Sequence, residues 1–272
     1  MPNENIGRVQ NQGMEIQLSH FNKIGEVNFR ASGNFMFARN KVLFMDETPW
    51  GEGHEYMNET GGPMGAGLQY RAIGIFRDQA VLDSYPHLDA ARPGDLIFED
   101  VDGDGKITSL DRVRQNLTGF PEIIFGLNLS ADWKNFDISV LFQGQARAVK
   151  DVISRMDATS NFYKWRAEDR WTEDNIDGTM PRAGGTINYG VENPCSFWTQ
   201  NASFVRLKNL EIGYTLPNLW FNKLRISNCR VYLSGQNLFT LDHIKYVDPE
   251  GSGEGSYYPQ MRIFNIGCNL TF

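Results

Sequence analysis

The sequence has no long hydrophobic run. No stretch approaches the roughly 20 consecutive apolar residues that a membrane-spanning helix needs. That excludes a helical membrane protein but not a barrel, whose strands need only about ten residues of alternating character. Cysteine is scarce: Cys195, Cys229 and Cys268 are all there is in 272 residues. They are odd in number and far apart along the chain, without metal spacing or a disulfide framework, and read as isolated packing residues. Histidine is scarce too. His20, His54, His87 and His243 lie on different segments, with no nucleophile motif beside any of them, so no catalytic site is legible and the chain is expected not to be an enzyme. There is no basic cluster, and the net charge of −7 argues against a nucleic-acid partner. No secretory leader is visible after Met1. A barrel must be exported, so the chain is expected to be a piece of a longer one.

What the chain does have is glycine, 27 residues of it, and 12% aromatics, which suits many strands joined by turns. The final stretch carries the plainest pattern. Phe264, Ile266, Cys268, Leu270 and Phe272 alternate with Asn265, Gly267, Asn269 and Thr271. A strand sends alternate side chains to opposite faces, so this one has an apolar face and a small, polar face. A soluble sandwich or a transmembrane barrel could each produce it. The terminal aromatic favours the barrel.

Earlier segments repeat the pattern. Met14–Ser19 and the run Val27, Phe29, Ala31, Gly33, Phe35, Phe37 form a long hairpin around Asn22–Gly25. Ile123–Ser130 and Phe136–Gln143 form a second around Asp132–Asn135. Phe204–Tyr214 is a further strand whose alternation slips at Lys208–Asn209, the mark of a bulge. Val231–Gln236 returns, and Pro259–Phe272 is last.

The connections are sorted by length. Those after Ser19, Asp132 and Leu216 are short; those after Phe37, Gly144 and Phe239 are long. Outer-membrane barrels have short periplasmic turns and long external loops. The short turns also carry Trp133, Phe136, Trp220 and Phe221, with Phe272 at the same level, as an interfacial aromatic girdle would. The expected fold is therefore all-β: antiparallel transmembrane barrel strands with long external loops. The stretch between Met45 and the Asp100 loop must cross an even number of times. Two short crossings around Gly65 to Phe76 are expected, for seven or nine in all.

One motif is sharp. Asp100, Asp102 and Asp104 stand at the first, third and fifth positions of a calcium-type loop, with Gly105 sixth and Asp111 twelfth. The spacing folds hard oxygen ligands around one cation, with Lys106 offering its backbone carbonyl and Ile107 tying the loop inward. Asp111 stands where Glu is usual, and its shorter arm weakens two-oxygen ligation. The bland alternative is a polar loop whose Asp and Gly residues only make turns. Glu168 and Asp169 could be imagined as an acid/base pair, but adjacent residues point apart and a solvated helix end within Tyr163–Trp171 is the better reading. Tyr163, Trp165, Trp171, Phe197 and Trp198 could stack on a sugar, with packing the more ordinary role.

Several of these segments, in order, resemble one family. Asn5-Ile6-Gly7-Arg8-Val9-Gln10-Asn11-Gln12-Gly13 is similar to its NIGKVKNKGFE segment. Pro93-Gly94-Asp95-Leu96, then Asp100 to Ile107 and Asp111-Arg112, resemble PGD followed by D-x-(N/D)-G-D-G-x-I and D-R. Phe136-Asp137-Ile138-Ser139-Val140-Leu141-Phe142-Gln143-Gly144 resembles FDLSVFFQG. Phe204–Leu210, Gly213–Pro217 and Val231–Thr240 match as closely. The family is the SusC/RagA-type TonB-dependent transporters of the Bacteroidetes outer membrane.

The resemblance implies that residues 1–272 are the C-terminal part of a barrel of twenty-two strands, with signal, regulatory-like domain, TonB box and plug absent. It implies import of glycan oligomers, or peptides, driven through TonB, with a SusD-like surface lipoprotein over the external loops and outer-membrane lipid around the wall. The alternative is a soluble, calcium-stabilised, carbohydrate-binding β-sandwich.

Overall fold

The computed structural model describes residues 6–152, 164–185, 187–189, 192–217, 226–245, 247–251 and 260–272. β1 (Arg8–Ile24) and β2 (Val27–Phe44) form the first hairpin. The long connection after them holds β3 (Leu68–Tyr70), β4 (Ala72–Ile75), helix α1 (Gln79–Ser84), β5 (Leu96–Phe98) and β6 (Arg112–Arg114). β7 (Ile123–Trp133) and β8 (Phe136–Ala146) form the second hairpin. The next connection holds β9 (Val149–Asp151), helix α2 (Lys164–Glu168) and β10 (Thr199–Asn201). β11 (Phe204–Thr215), β12 (Asn228–Asp242) and β13 (Ile263–Thr271) complete the described chain.

Seven long strands make one antiparallel sheet in the order β1-β2-β7-β8-β11-β12-β13. Each strand pairs with the next long strand in sequence, so the sheet is an up-and-down meander. Its strands run from 9 residues in β13 to 18 in β2, and about 9–11 residues cross a bilayer.

The register joins like with like. One row runs Phe29, Ala131, Ile138, Ile212, Leu233, Ile266 across six strands. The neighbouring row, on the opposite face, runs Arg30, Ser130, Ser139, Glu211, Ser234, Asn265. A one-residue slip in any strand would mix the two rows, which fixes the pairing. The slip at Lys208 is a bulge: the register with both neighbours shifts between Leu207 and Asn209.

The apolar face is not covered. Leu233 is 59% and Ile266 77% exposed. In a soluble sandwich a second sheet would lie on that face. Among the described residues the other sheets are only the two-stranded pairs β3–β6, β4–β5 and β9–β10. The antiparallel barrel strands expected from the sequence are present, and the sandwich has no second layer to stand on.

The expectation of two extra crossings fails. β3 and β4 have three and four residues and pair with β6 and β5, not with the large sheet. Among the described residues seven strands are long enough to cross a bilayer; β3 and β4 are far shorter than that requires and find their partners within the same connection.

The buried core lies instead in the long connections. Tyr70, Ile75, Leu96, Phe98 and Ile107 come from the first, Val152, Cys195 and Trp198 from the second, and Ile244 from the third. Tyr70 and Phe98 stack with ring centroids 4.6 Å apart. Three external loops thus share one core and form a folded cap at one end of the sheet. At the other end Trp133 and Phe136 stack at 6.2 Å, and Phe136 meets Tyr214 at 4.6 Å. Trp220 and Phe221 lie outside the described residues.

Candidate functional site

Two constellations stand out: the acidic loop in the cap, and a charged strap on the polar face of the sheet.

The acidic loop is held by its own carboxylates. Asp100 accepts from the backbone N–H groups of Gly103 at 2.8 Å and Gly105 at 2.9 Å. Asp102 accepts from Asp104 N at 3.1 Å, and Asp104 from Lys106 N at 2.8 Å. Gly105 sits at φ +81, a conformation that a side chain would strain. Ile107 is buried in the shared core and anchors the loop, as the sequence predicts. One oxygen each of Asp100, Asp102 and Asp104 lie within 4.8 Å of one another.

Asp111 is used differently. It is fully buried at the end of a short 3₁₀ turn, Ser109–Asp111. One of its oxygens accepts from Val101 N at 2.8 Å and the other from Thr108 N at 2.7 Å, the second bond belonging to a capping box with Thr108. The structure brings three of the expected ligands together, while the fourth carboxylate closes the loop. Lys106 holds the turn through its N–H.

His54 Nε2 stands 3.4 Å from Asp102 Oδ2. The Tyr56 hydroxyl donates to Leu110 O at 2.6 Å. Burial and the negative charges of Asp102, Asp111 and Asp100 push the Tyr56 hydroxyl above its ordinary pKa. The loop's field is therefore felt by its neighbours.

The strap is the region sequence reasoning missed. Arg206, on β11, is 1% exposed. It donates to Asp248 Oδ2 at 2.7 Å, to Thr240 Oγ1 at 2.9 Å and to Glu250 Oε2. Lys208, the bulged residue, reaches the same Glu250 carboxylate at 3.0 Å. Lys150 Nζ donates to the carbonyls of Asp248, at 2.9 Å, and Gly251. Residues 247–251 of the third loop are thus tied across the polar face of the sheet, over β8 and β11. A cavity of about 700 Å³ opens beside them, lined in part by Gln115, Gln145, Lys150, Asp151 and Glu250. The signal available in the sequence was Arg206 itself. It is a fixed charge inside an alternating strand, and a charge there needs a partner.

Nearer the other end, Arg230 on β12 binds Asp137 of β8 at 2.9 Å through Nε and Glu211 of β11 at 2.7 Å through Nη2. It spans the strand between, because Gly213 has no side chain to block it.

No catalytic pairing forms from the groups weighed in the sequence. Glu168 pairs with Lys164 at 2.9 Å, while Asp169 accepts from Thr179 Oγ1 at 2.5 Å. Trp165, Trp171 and Phe197 pack against the shared core, and Trp198 is part of it. Tyr163 lies outside the described residues.

Comparison with known proteins now bears on these features. No family model matches the chain. Over 303 residues it is 28% identical to a TonB-dependent receptor of Formosa agariphila, covering 99% of this chain and 30% of that one. A second receptor of the same organism is 29% identical, with 99% and 29% covered. The TonB-dependent receptor SusC of Bacteroides thetaiotaomicron is 25% identical over 279 residues, with 99% and 27% covered.

The chain is similar to the SusC/RagA-type TonB-dependent transporters.

Among solved structures, the RagAB peptide transporter superposes with a TM-score of 0.73 at 24% identity, covering 99% of this chain and 30% of that one. The RagAB peptide importer in its open-open state gives 0.73 at 23% identity, covering 99% and 29%. These likenesses show the fold. The chain spans about 30% of the length of these relatives. Those relatives are named as TonB-dependent receptors.

Proposed function

We propose that the chain supplies a seven-strand sector of the wall, and part of the external cap, of a TonB-dependent importer in the outer membrane. The observation that carries the reading is the pair of opposed rows described above. An uncovered apolar face suits lipid, and the polar face behind it suits an aqueous lumen. The sorted ends agree: short turns with aromatics on one side, a folded cap on the other. Cargo would be glycan oligomers or peptides passing along the polar face. A SusD-like lipoprotein would sit over the cap. Coupling to TonB would reside in the parts of the relatives that this chain does not match. The names SusC and RagAB support this reading.

The test uses the full-length transporter with an affinity tag. It is expected in the outer-membrane fraction, migrating differently on gels before and after boiling, and bringing down a lipoprotein from detergent extracts. Deleting the gene should abolish growth on some glycan oligomer or peptide as sole nutrient. A tagged protein recovered in the aqueous fraction without detergent would overturn the proposal.

We also propose that the Asp100, Asp102 and Asp104 carboxylates hold a calcium ion that orders the cap. Their approach within 4.8 Å supports it, since three hard oxygen donors repel one another without a cation. Lys106 would add its carbonyl, and Asp111 would act by closing the loop. Calorimetric titration of the full-length protein with calcium should give a saturable signal that Asp102→Ala removes. No heat at millimolar calcium refutes it.

A further inference from the structure

We infer that Cys229 and Cys268 form a disulfide that staples β12 to β13. Along the sequence the two are 39 residues apart and looked unrelated. The structure puts their Sγ atoms 3.7 Å apart, in van der Waals contact. The register explains it. Cys229 faces Leu270 and Cys268 faces Val231, so the two thiols are diagonal neighbours on one face of an antiparallel pair. Cys229 is 5% exposed, whereas Cys268 is exposed. Closing the bond brings the two Sγ atoms in from 3.7 Å to the roughly 2.05 Å of a disulfide, with no change of register. Cys195 is buried in the cap core, away from this hairpin.

The chemistry needs an oxidant, and the inference rests on the outer-membrane reading for its compartment, where disulfides form and persist. A protein dithiol carrier in its disulfide form serves. Before the hairpin enters the membrane, the Cys268 thiolate attacks a carrier sulfur, making a mixed disulfide and releasing one carrier thiol. The Cys229 thiolate then attacks Cys268 Sγ, forming the staple and releasing the second carrier thiol. Two electrons pass to the carrier disulfide, and the two protons end on its thiols. The product matters because β13 pairs with β12 alone among the described strands. A covalent tie holds that strand in register while its other edge seeks a partner.

Two packing cysteines would touch in the same way, so the test reads the bond itself. The full-length transporter is purified from the outer membrane, unfolded in excess iodoacetamide without reductant, and digested with trypsin. The expected result is a linked species joining the peptide of residues 226–230 to the peptide that begins at Ile263. Dithiothreitol should split it, and Cys195 should be alkylated throughout. In Cys268→Ser the linked species should vanish and Cys229 should become alkylated. Recovery of unlinked, alkylated Cys229 and Cys268 from membrane-embedded wild-type protein overturns the staple and leaves the import reading standing. Absence of the protein from the outer membrane overturns both.

Discussion

Replacing Arg206 with methionine should release the strap. Methionine keeps the length and apolar stem of the side chain and removes its charge. The guanidinium is 1% exposed and makes three side-chain bonds, to Asp248, Thr240 and Glu250. Breaking a buried ion pair by removing one partner costs about 3–5 kcal/mol, because the other charge is left without compensation. Here the stranded acids keep some. Glu250 still has Lys208 at 3.0 Å, and the carboxylate side chains are 13% and 17% exposed. That lowers the expected cost to about 2–3 kcal/mol, or roughly 30- to 150-fold in the local opening equilibrium. Hydrogen exchange of the full-length protein in detergent reads this directly, as faster exchange at the amides of Val247, Asp248, Glu250 and Gly251 with β7 and β8 unchanged. Lys208→Met is the comparison: its side chain is 27% exposed, so its contribution should be below about 1 kcal/mol. Equal effects from the two substitutions, or none from Arg206→Met, would refute the claim that the buried arginine holds the loop.

Two further outcomes follow from close packing and burial. Gly213→Ala places a Cβ 2.5 Å from Arg230 Nε and from Asp137 Oδ2, so the ion network must open. A loss of about 1–3 kcal/mol is expected, seen as a lower midpoint for heat-induced loss of the compact band on gels. Burial pushes the Cys195 thiol up to about 12 from an ordinary 9.0. A raised folded pKa means that the contribution is fully present below about 9 and is lost as pH climbs toward about 12. Native protein should therefore leave Cys195 unlabelled by maleimide at pH 8, and the cap should loosen in that alkaline window. Rapid labelling of Cys195 in folded protein would contradict this.

The wall was largely legible in the sequence, and the cap was not. Strand faces are written at a period of two, so Phe136–Gln143 and Phe264–Phe272 could be read directly. The bulge at Lys208 showed as a break in that period. Cap structure has no period. Tyr70, Val152 and Ile244 meet in one core although they come from three separate loops. Arg206 finds its acids 42 and 44 residues away, and Cys229 finds Cys268 on the adjacent strand. Each of these depends on register and loop path, which no local pattern carries. The acidic loop falls between. Its spacing named three carboxylates that do converge, but not that Asp111 would spend both oxygens on backbone N–H groups.

The middle of the chain shows why a sound rule chose the wrong branch. Two loops on the same side demand an even number of crossings between them, and zero satisfies that as well as two. Local β character around Leu68–Ile75 favoured two. Length decides against it: three and four residues cannot span a hydrocarbon layer that takes about nine to eleven. Unpaired backbone there would be costly, and β6 and β5 satisfy it within the cap. The consequence is a topology that can be measured. Ile73 lies at the register shift of β4 and is 52% exposed, at the end of the sheet that the proposed topology makes external. Glu26 lies in the short turn between β1 and β2, at the end that the proposed topology makes periplasmic. In intact cells lacking the proposed lipoprotein partner, a maleimide that cannot cross the outer membrane should label Ile73→Cys at once. It should label Glu26→Cys only after the membrane is permeabilised. If both positions behave alike, the cap is not where the seven-crossing wall puts it.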